Sequence, residues 1–300
     1  MINLAEISIQ KNKSRGNELH EIPVFSILIP TWNNLPYLQL CIESIHRNSQ
    51  FRHQIIVHIN EGSDGTLDWV KSQGNLDFTY SEKNIGVCYA LNAAASLVST
   101  DYVLYMNDDM YACPNWDREI QDAIQSVGHP YFFISATAIE PTQTNNPCAL
   151  VLDCGQDIES FREHQLLEQF TRPRMNDWSG STWPPNIVHK QVWDLVGGYS
   201  VEFSPGMYSD PDFSMKLWNL GIRMFRGIAN SRVYHFGSKS VKRIQKNKGY
   251  FQFIKKWGIT SDTFTRYYLK RGRSFEGLLQ DPELPAGVRM KNFIKRLHTL

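Results

Sequence analysis

The sequence predicts an α/β protein: a mixed, mostly parallel sheet flanked by helices, followed by a basic, helical C-terminal extension. Three observations carry this expectation. From Val24 to Met106, short apolar runs alternate with stretches of helical periodicity. The last of these runs, Tyr102-Val103-Leu104-Tyr105-Met106, ends abruptly in Asn107-Asp108-Asp109. From Lys239 to Leu300, 15 Lys+Arg stand against 4 Asp+Glu, although the whole chain has a formal net charge of only +1.

Val24 to Pro30 is almost wholly apolar, as expected for a strand buried on both faces. Thr31-Trp32-Asn33-Asn34 breaks it, and Pro36 opens a helix in which Leu38, Cys41, Ile42 and Ile45 recur at helical spacing. Ile55 to Ile59 is a second strand running into the polar turn Asn60 to Thr66, with a short helix around Leu67–Val70. Phe78 to Tyr80 is a third strand. Asn84-Ile85-Gly86 then starts a helix that continues through Ala90, Leu91, Ala94, Leu97 and Val98. Such alternation is the pattern of parallel strands joined by right-handed crossovers.

Beyond Asp109 the spacing predicts a helix over Trp116–Val127 and a strand over Tyr131–Ala136. Residues 140–185 are rich in turn formers and aromatics, Val188–Val196 has helical spacing, and a helix follows Asp210-Pro211-Asp212. Ile222–Phe225 and Arg232–His235 read as two short strands. The resulting division is a loosely ordered leader over 1–22, a main domain over 23–240 with halves 23–110 and 111–240, and an extension over 241–300.

Apolar content of 42% and charged content of 20% are ordinary for a soluble globular chain. The near-neutral total gives no global argument for nucleic acid, and no recognised nucleic-acid-binding fold accompanies the basic tail. Cys41, Cys88, Cys113, Cys148 and Cys154 form no paired or metal-type spacing, so free thiols are expected. Met1 to Glu21 lacks the apolar core of a signal peptide, and no apolar stretch approaches the roughly 20 residues needed to span a bilayer. A cytoplasmic location is expected.

Chemistry concentrates at the ends of the predicted strands, where open α/β sheets collect their ligands. Two adjacent carboxylates at Asp108 and Asp109 repel unless a cation or a ligand's hydroxyls accept them, and hard oxygen donors suit Mg²⁺ or Mn²⁺. Four polar clusters follow a strand or open a helix: Thr31-Trp32-Asn33, Glu61 to Thr66, Asn107-Asp108-Asp109 and Asp210-Pro211-Asp212.

Their order resembles that of the family 2 inverting glycosyltransferases of the GT-A fold, over roughly residues 24 to 240. The resemblance rests on Pro30-Thr31-Trp32-Asn33, on Asn60-Glu61-Gly62-Ser63-Asp64-Gly65-Thr66, and on Asn84, Gly86, Ala90 and Asn92. It continues in Asn107-Asp108-Asp109 at the Asp-x-Asp metal motif, Ser209-Asp210-Pro211-Asp212, and His235 with Ser238. Asn107 replaces the first Asp, Trp32 replaces Tyr, Glu61 stands in a turn one residue short, and Ser209 replaces a Glu.

The resemblance implies a Rossmann-like sheet that binds a nucleotide-sugar donor. Thr31, Trp32, Glu61, Asp64, Gly86, Asn92 and Asp108 would hold the nucleotide. Asp109, with His235, would hold Mn²⁺ or Mg²⁺, and Asp210 would be the general base toward an acceptor hydroxyl on a glycan or lipid-linked molecule. Asp210 before Pro211 also suits a helix start, and Asp212 remains the alternative base. Trp178 and Trp183 suit either the core or a sugar-stacking platform. A nucleotidyltransferase would want a Gly-rich loop with Arg and Lys near the first strand, and Pro30-Thr31-Trp32-Asn33 offers neither. A donor-binding scaffold without catalysis is the other reading, left open by Ser209. In the tail, Lys255-Lys256-Trp257 and Arg266-Tyr267-Tyr268-Leu269-Lys270-Arg271 interleave cations with aromatics, as segments lying at an anionic membrane surface do.

Overall fold

The computed structural model describes residues 8–13, 22–237 and 248–299. Ser238, and with it that part of the His-x-x-Ser match, lies outside the described residues, as do most of the leader and residues 239–247.

The first strands form because their residues can be buried on both faces. In β2 (Ser26–Trp32) and β3 (Gln54–Asn60), after the short β1 (Ile9–Asn12), successive side chains enter opposite cores. Ile27 and Ile29 face one cluster while Leu28 faces the other, and Ile55 and Val57 are likewise separated from Ile56. The first cluster is covered by α1 (Leu35–Asn48) and, further along, α4 (Trp116–Val127). The second is covered by α3 (Gly86–Ala95), which follows α2 (Thr66–Ser72) and β4 (Asp77–Ser81). The chain then runs through β5 (Tyr102–Tyr105), β6 (Met110–Ala112), β7 (Phe133–Glu140), β8 (Ala149–Val151), α5 (Glu163–Gln169) and β9 (Trp178–Ser179). It closes the sheet with β10 (Asn186–His189), α6 (Lys190–Val196), α7 (Ser209–Asn219) and β11 (Phe225–His235).

Among the described residues the strands form one 11-stranded sheet with the order β1-β4-β3-β2-β5-β10-β7-β11-β6, with β8 and β9 attached to β7 and β11. β4, β3, β2 and β5 are mutually parallel, and β7 is parallel to β11. β10 lies antiparallel between β5 and β7, and β6 antiparallel to β11. The sheet is therefore mixed and mostly parallel in its first half.

Three expectations change. The leader contributes β1, which pairs antiparallel with β4. Helical spacing from Val188 gives way to a strand over Asn186–His189 before the helix begins at Lys190, because Ile187 and Val188 must face opposite cores in the middle of the sheet. The two short strands expected around residues 222–235 are one strand, β11, whose register against β7 shifts between Ile228 and Arg232. Asp177 bridges that irregularity, accepting from Ala229 N at 2.8 Å and from Arg226 Nε at 2.8 Å.

The tail forms α8 (Gly249–Trp257), a single turn α9 (Ser261–Thr263), a π-helical turn over Phe264–Tyr268, and α10 (Ala286–Leu297). Phe253, Phe264, Leu269 and Leu279 are buried in the second core cluster, beside Trp218 and Phe225. Each such side chain contributes about 1.5–3 kcal/mol on burial, so the tail is packed into the fold rather than appended to it. All five cysteines are free and buried.

Candidate functional site

Strand ends and two helix starts open onto one cleft of about 780 Å³. Of the ten residues singled out from sequence, Thr31, Trp32, Gly86, Asp108, Asp109, Asp210 and His235 line it. Glu61, Asp64 and Asn92 do not. Asp64 is a capping residue: its carboxylate accepts from Leu35 N at 2.8 Å and from Thr66 N and Oγ1 at 3.1 and 2.6 Å, joining the starts of α1 and α2. Partial burial pushes its carboxyl up, but these hydrogen bonds outweigh it and hold the group below its usual range. Glu61 adopts a positive φ of 62° in the tight turn after β3 and accepts from Asn33 Nδ2 at 3.1 Å.

Asn92 acts at a distance from the cleft. Its amide donates to Tyr199 O and accepts from Tyr199 N, both at 2.8 Å. Tyr199 is thereby fixed, stacked on Phe213 at 4.7 Å, and its hydroxyl donates to Asp210 Oδ1 at 3.1 Å. Asp210 lies in the first turn of α7, entered through Tyr208 at φ 69°. Burial pushes its carboxyl up to about 7, only partly offset by the Tyr199 hydroxyl. Asp212 has a different setting. It is fully buried, and its Oδ1 accepts from Trp257 Nε1 at 2.8 Å and pairs with Lys256 Nζ at 2.9 Å. Lys256 also reaches Glu202 Oε1 at 2.7 Å, so the Lys256-Trp257 pair read as facing a membrane is engaged within the fold.

Also lining the cleft, Thr31 Oγ1 donates to Asp108 Oδ2 at 2.7 Å. Met110 of β6 pairs with His235 of β11, and this register sets Asp109 beside the imidazole: His235 Nε2 lies 3.5 Å from Asp109 Oδ1. Its Nδ1 lies 3.6 Å from Glu140 Oε1 at the end of β7. Burial alone would push His235 down, but Asp109 and Glu140 outweigh it and push the imidazole up to about 10. Carboxylate oxygen is the donor that Mn²⁺ and Mg²⁺ prefer, and Mn²⁺ also takes imidazole nitrogen once the ring gives up its proton, so Asp109 with a deprotonated His235 fits such an ion. Among the described residues no three His, Cys, Asp or Glu side chains form a ready-made cage. That is compatible with an ion completed by a substrate's phosphates.

Gly86 is required by a close approach. At φ 77°, a Cβ there would stand 2.6 Å from Pro205 Cα and against Ser204 Oγ, where the loop before α7 docks on the start of α3 through Val87 N→Pro205 O at 2.9 Å. Gly86→Ala is expected to destabilise the fold by about 1–3 kcal/mol through strain and overpacking. Denaturant titration checks this, and an unchanged midpoint would show that the loop gives way freely.

Sequence reasoning missed Asn60, Glu140, Tyr199, Thr265 and Arg271. Asn60 is buried, accepts from Ile85 N at 2.9 Å and donates to Thr31 O at 3.2 Å, tying the second strand's end to the first and to the start of α3. Its place at the end of an apolar strand was the available signal. Thr265 and Arg271 reach the cleft from the tail by tertiary packing, for which local sequence offers no signal.

Comparison with known proteins places this geometry. Residues 26–170 match the family model described as Glycosyl transferase family 2. The chain is 23% identical over 238 residues to a chondroitin synthase of Pasteurella multocida (strain Pm70), covering 77% of this chain and 23% of that protein. It is 23% identical over 255 residues to a hyaluronan synthase of Pasteurella multocida, covering 81% and 24%. The chain thus spans about a quarter of the length of these two relatives. Among solved structures, S. aureus TarS 1-349 in complex with UDP-GlcNAc superposes with a TM-score of 0.55 at 13% identity, covering 92% of this chain and 72% of that one. GalNAc-T7 with UDP, GalNAc and Mn2+ gives 0.57 at 11% identity, covering 93% and 55%. At these identities the structural likeness speaks to the fold.

Proposed function

We propose that this chain, whose residues 26–170 match the model of Glycosyl transferase family 2, is a glycosyltransferase that moves a sugar from a nucleotide-sugar donor to an acceptor hydroxyl with inversion, in polysaccharide or glycoconjugate synthesis. One observation carries the catalytic reading. Asp210, with a carboxyl pushed up to about 7, lines the same cleft as the Asp108-Asp109 pair. A base whose pKa lies near the working pH combines a useful ionised fraction with useful basicity.

In this mechanism Thr31 and Asp108 would hold the nucleotide, and Asp109 and His235 would hold Mn²⁺ or Mg²⁺. The bound ion supplies charge neutralisation at the diphosphate. Asp210 accepts the acceptor's hydroxyl proton as that oxygen bonds to the anomeric carbon, while the bond from that carbon to the diphosphate oxygen breaks on the opposite face. The electron pair leaves with the diphosphate. Tyr199 fixes the base and holds its pKa down, and Asn92 fixes Tyr199. Asp212 is set aside as the base because its fully buried side chain does not line the cleft and its Oδ1 is taken by Lys256 and Trp257. Uridine nucleotides in the TarS and GalNAc-T7 complexes favour a UDP-sugar here. Incubation with UDP-sugars and glycan acceptors, followed by NMR of the product, tests the reading. The new linkage should have the anomeric configuration opposite to that of the donor, and retention would exclude the single displacement.

The second part of the reading is peripheral contact with an anionic membrane, where lipid-linked acceptors reside. No helix among the described residues is long and apolar enough to cross a membrane. In α10, Met290, Phe293, Ile294 and Leu297 recur at i, i+3, i+4 and i+7 and are 47–59% exposed. Arg289, Lys291, Lys295 and Arg296 flank them. An apolar stripe edged with cations suits the interface of an anionic bilayer. Flotation should be strong with anionic liposomes and weak with neutral ones, and Phe293→Ser with Ile294→Ser should abolish it. Equal flotation with both lipids would exclude the electrostatic contact.

A further inference from the structure

Arg271 occupies a position that the fold builds with care. Its backbone is clamped on two sides. A Cβ at Gly180 (φ 90°) would stand 2.7 Å from Arg271 Cα, and one at Gly272 (φ 80°) would stand 2.5 Å from Pro147 Cβ. Arg271 N donates to Thr265 O and Gly272 N to Ser179 O, both at 3.0 Å. Lys270, just before it, is held at φ 48°, a conformation costly for a residue with a side chain and concentrated at ligand-binding sites.

The guanidinium this frame presents lies 3.9 Å from the centroid of the Trp183 ring, at the wall of the cleft. Its Nε is buried and has no hydrogen-bond partner among the described residues. No carboxylate among them lies within ion-pairing distance. Asp262, whose charge reaches it, is 3.8 Å from Lys291 instead. A desolvated guanidinium stays charged, and its cost is recovered only when an oxyanion takes its fork of donors.

The Trp183 loop is tied to the Asp210 side of the cleft. Asn186 Nδ2 donates to Thr182 O at 3.3 Å, and the Asn186 amide is near enough to Tyr199, the partner of Asp210, to favour that hydroxyl's ionised form. We propose that Arg271, stacked on Trp183, is the anion-recognising element of the acceptor subsite. The acceptor then carries a carboxylate or a phosphate ester near the hydroxyl that receives the sugar. This rests on the glycosyltransferase reading of the cleft and adds the chemical class of its acceptor.

The test measures Kd by calorimetry in the full chain for four probes. They are UDP with Mn²⁺, a glucuronate-terminated oligosaccharide, its carboxyl-reduced counterpart, and a glycerol phosphate-bearing glycan. The parent should bind at least one acidic probe about tenfold or more tightly than the neutral counterpart. Preference for the glucuronate probe identifies a carboxylate acceptor, and preference for the phosphate probe identifies a phosphate ester. Arg271→Gln should erase that preference while leaving UDP affinity within about twofold, and Arg271→Lys should restore only part of it because the planar fork is lost. Three results overturn the proposal: no acidic preference in the parent, an acidic preference that survives Arg271→Gln, or a loss of UDP affinity that assigns Arg271 to the donor's diphosphate. If Arg271→Gln fails to fold, Arg271→Lys decides: an acidic preference as strong as the parent's overturns the proposal. Failure of UDP to bind the parent at all would instead strike the glycosyltransferase reading itself.

Discussion

Asp210→Asn is expected to lower transfer by about 10²–10⁴-fold while donor affinity stays within about twofold. The amide keeps the shape and the hydrogen bond from Tyr199 but cannot take a proton. In the parent, kcat/KM should rise with pH through an apparent pKa near 7, where burial sets the carboxyl. Tyr199→Phe removes a donor that favours the ionised form, so its rising limb should move to higher pH. Stability offers a second readout. The folded-state pKa lies above the usual carboxyl value, so the stability that protonated Asp210 contributes is full below about pH 4, is lost as pH rises to about 7, and stays lost above it. Asp210→Asn should therefore be more heat-stable than the parent at pH 8, with the gap closing near pH 4. Transfer at the parental rate in Asp210→Asn would remove the base assignment, whatever the stability shows.

Asp109→Ala acts on the other partner in the reaction. It should weaken UDP binding in the presence of Mn²⁺ by on the order of 10²-fold, about 2.7 kcal/mol, and leave metal-free binding nearly unchanged. It also removes the neighbour that does most to raise His235, whose imidazole should titrate well below its parental value of about 10. An NMR titration reads this directly. A variant that still binds UDP in a metal-dependent way would show that Asp109 is not a ligand.

The legible parts of the fold are those whose burial repeats along the sequence. Strands β2, β3, β4 and β5 announce themselves because almost every side chain in them is buried. Asn186–His189 gives four residues after Pro184-Pro185 and runs directly into a helix, so its strand character depends on neighbours far away in sequence. Ile9–Asn12 is a mostly exposed edge strand with no apolar alternation to betray it. In the site, residues at strand ends were legible, since an apolar run ending in polar groups marks the rim of a sheet. The roles of Asp64 and Asn92 were not, because a capping carboxylate and a backbone-clamping amide have the same local sequence as ligand-binding ones. Arg271 shows the limit most clearly. Its cation-aromatic neighbourhood reads as a surface segment, yet its partner Trp183 lies 88 residues earlier in the chain and turns it toward the cleft.

Thermal unfolding with nucleoside diphosphates, in Mn²⁺ and in chelator, tests the donor cleft most directly. A nucleotide at 100 times its Kd should add about 2.7 kcal/mol to stability. The proposed function predicts such a shift with UDP and Mn²⁺, reduced in chelator and absent in Asp109→Ala. A midpoint that moves with no nucleotide, with or without metal, would contradict a nucleotide-sugar site between Thr31, Asp109 and Asp210.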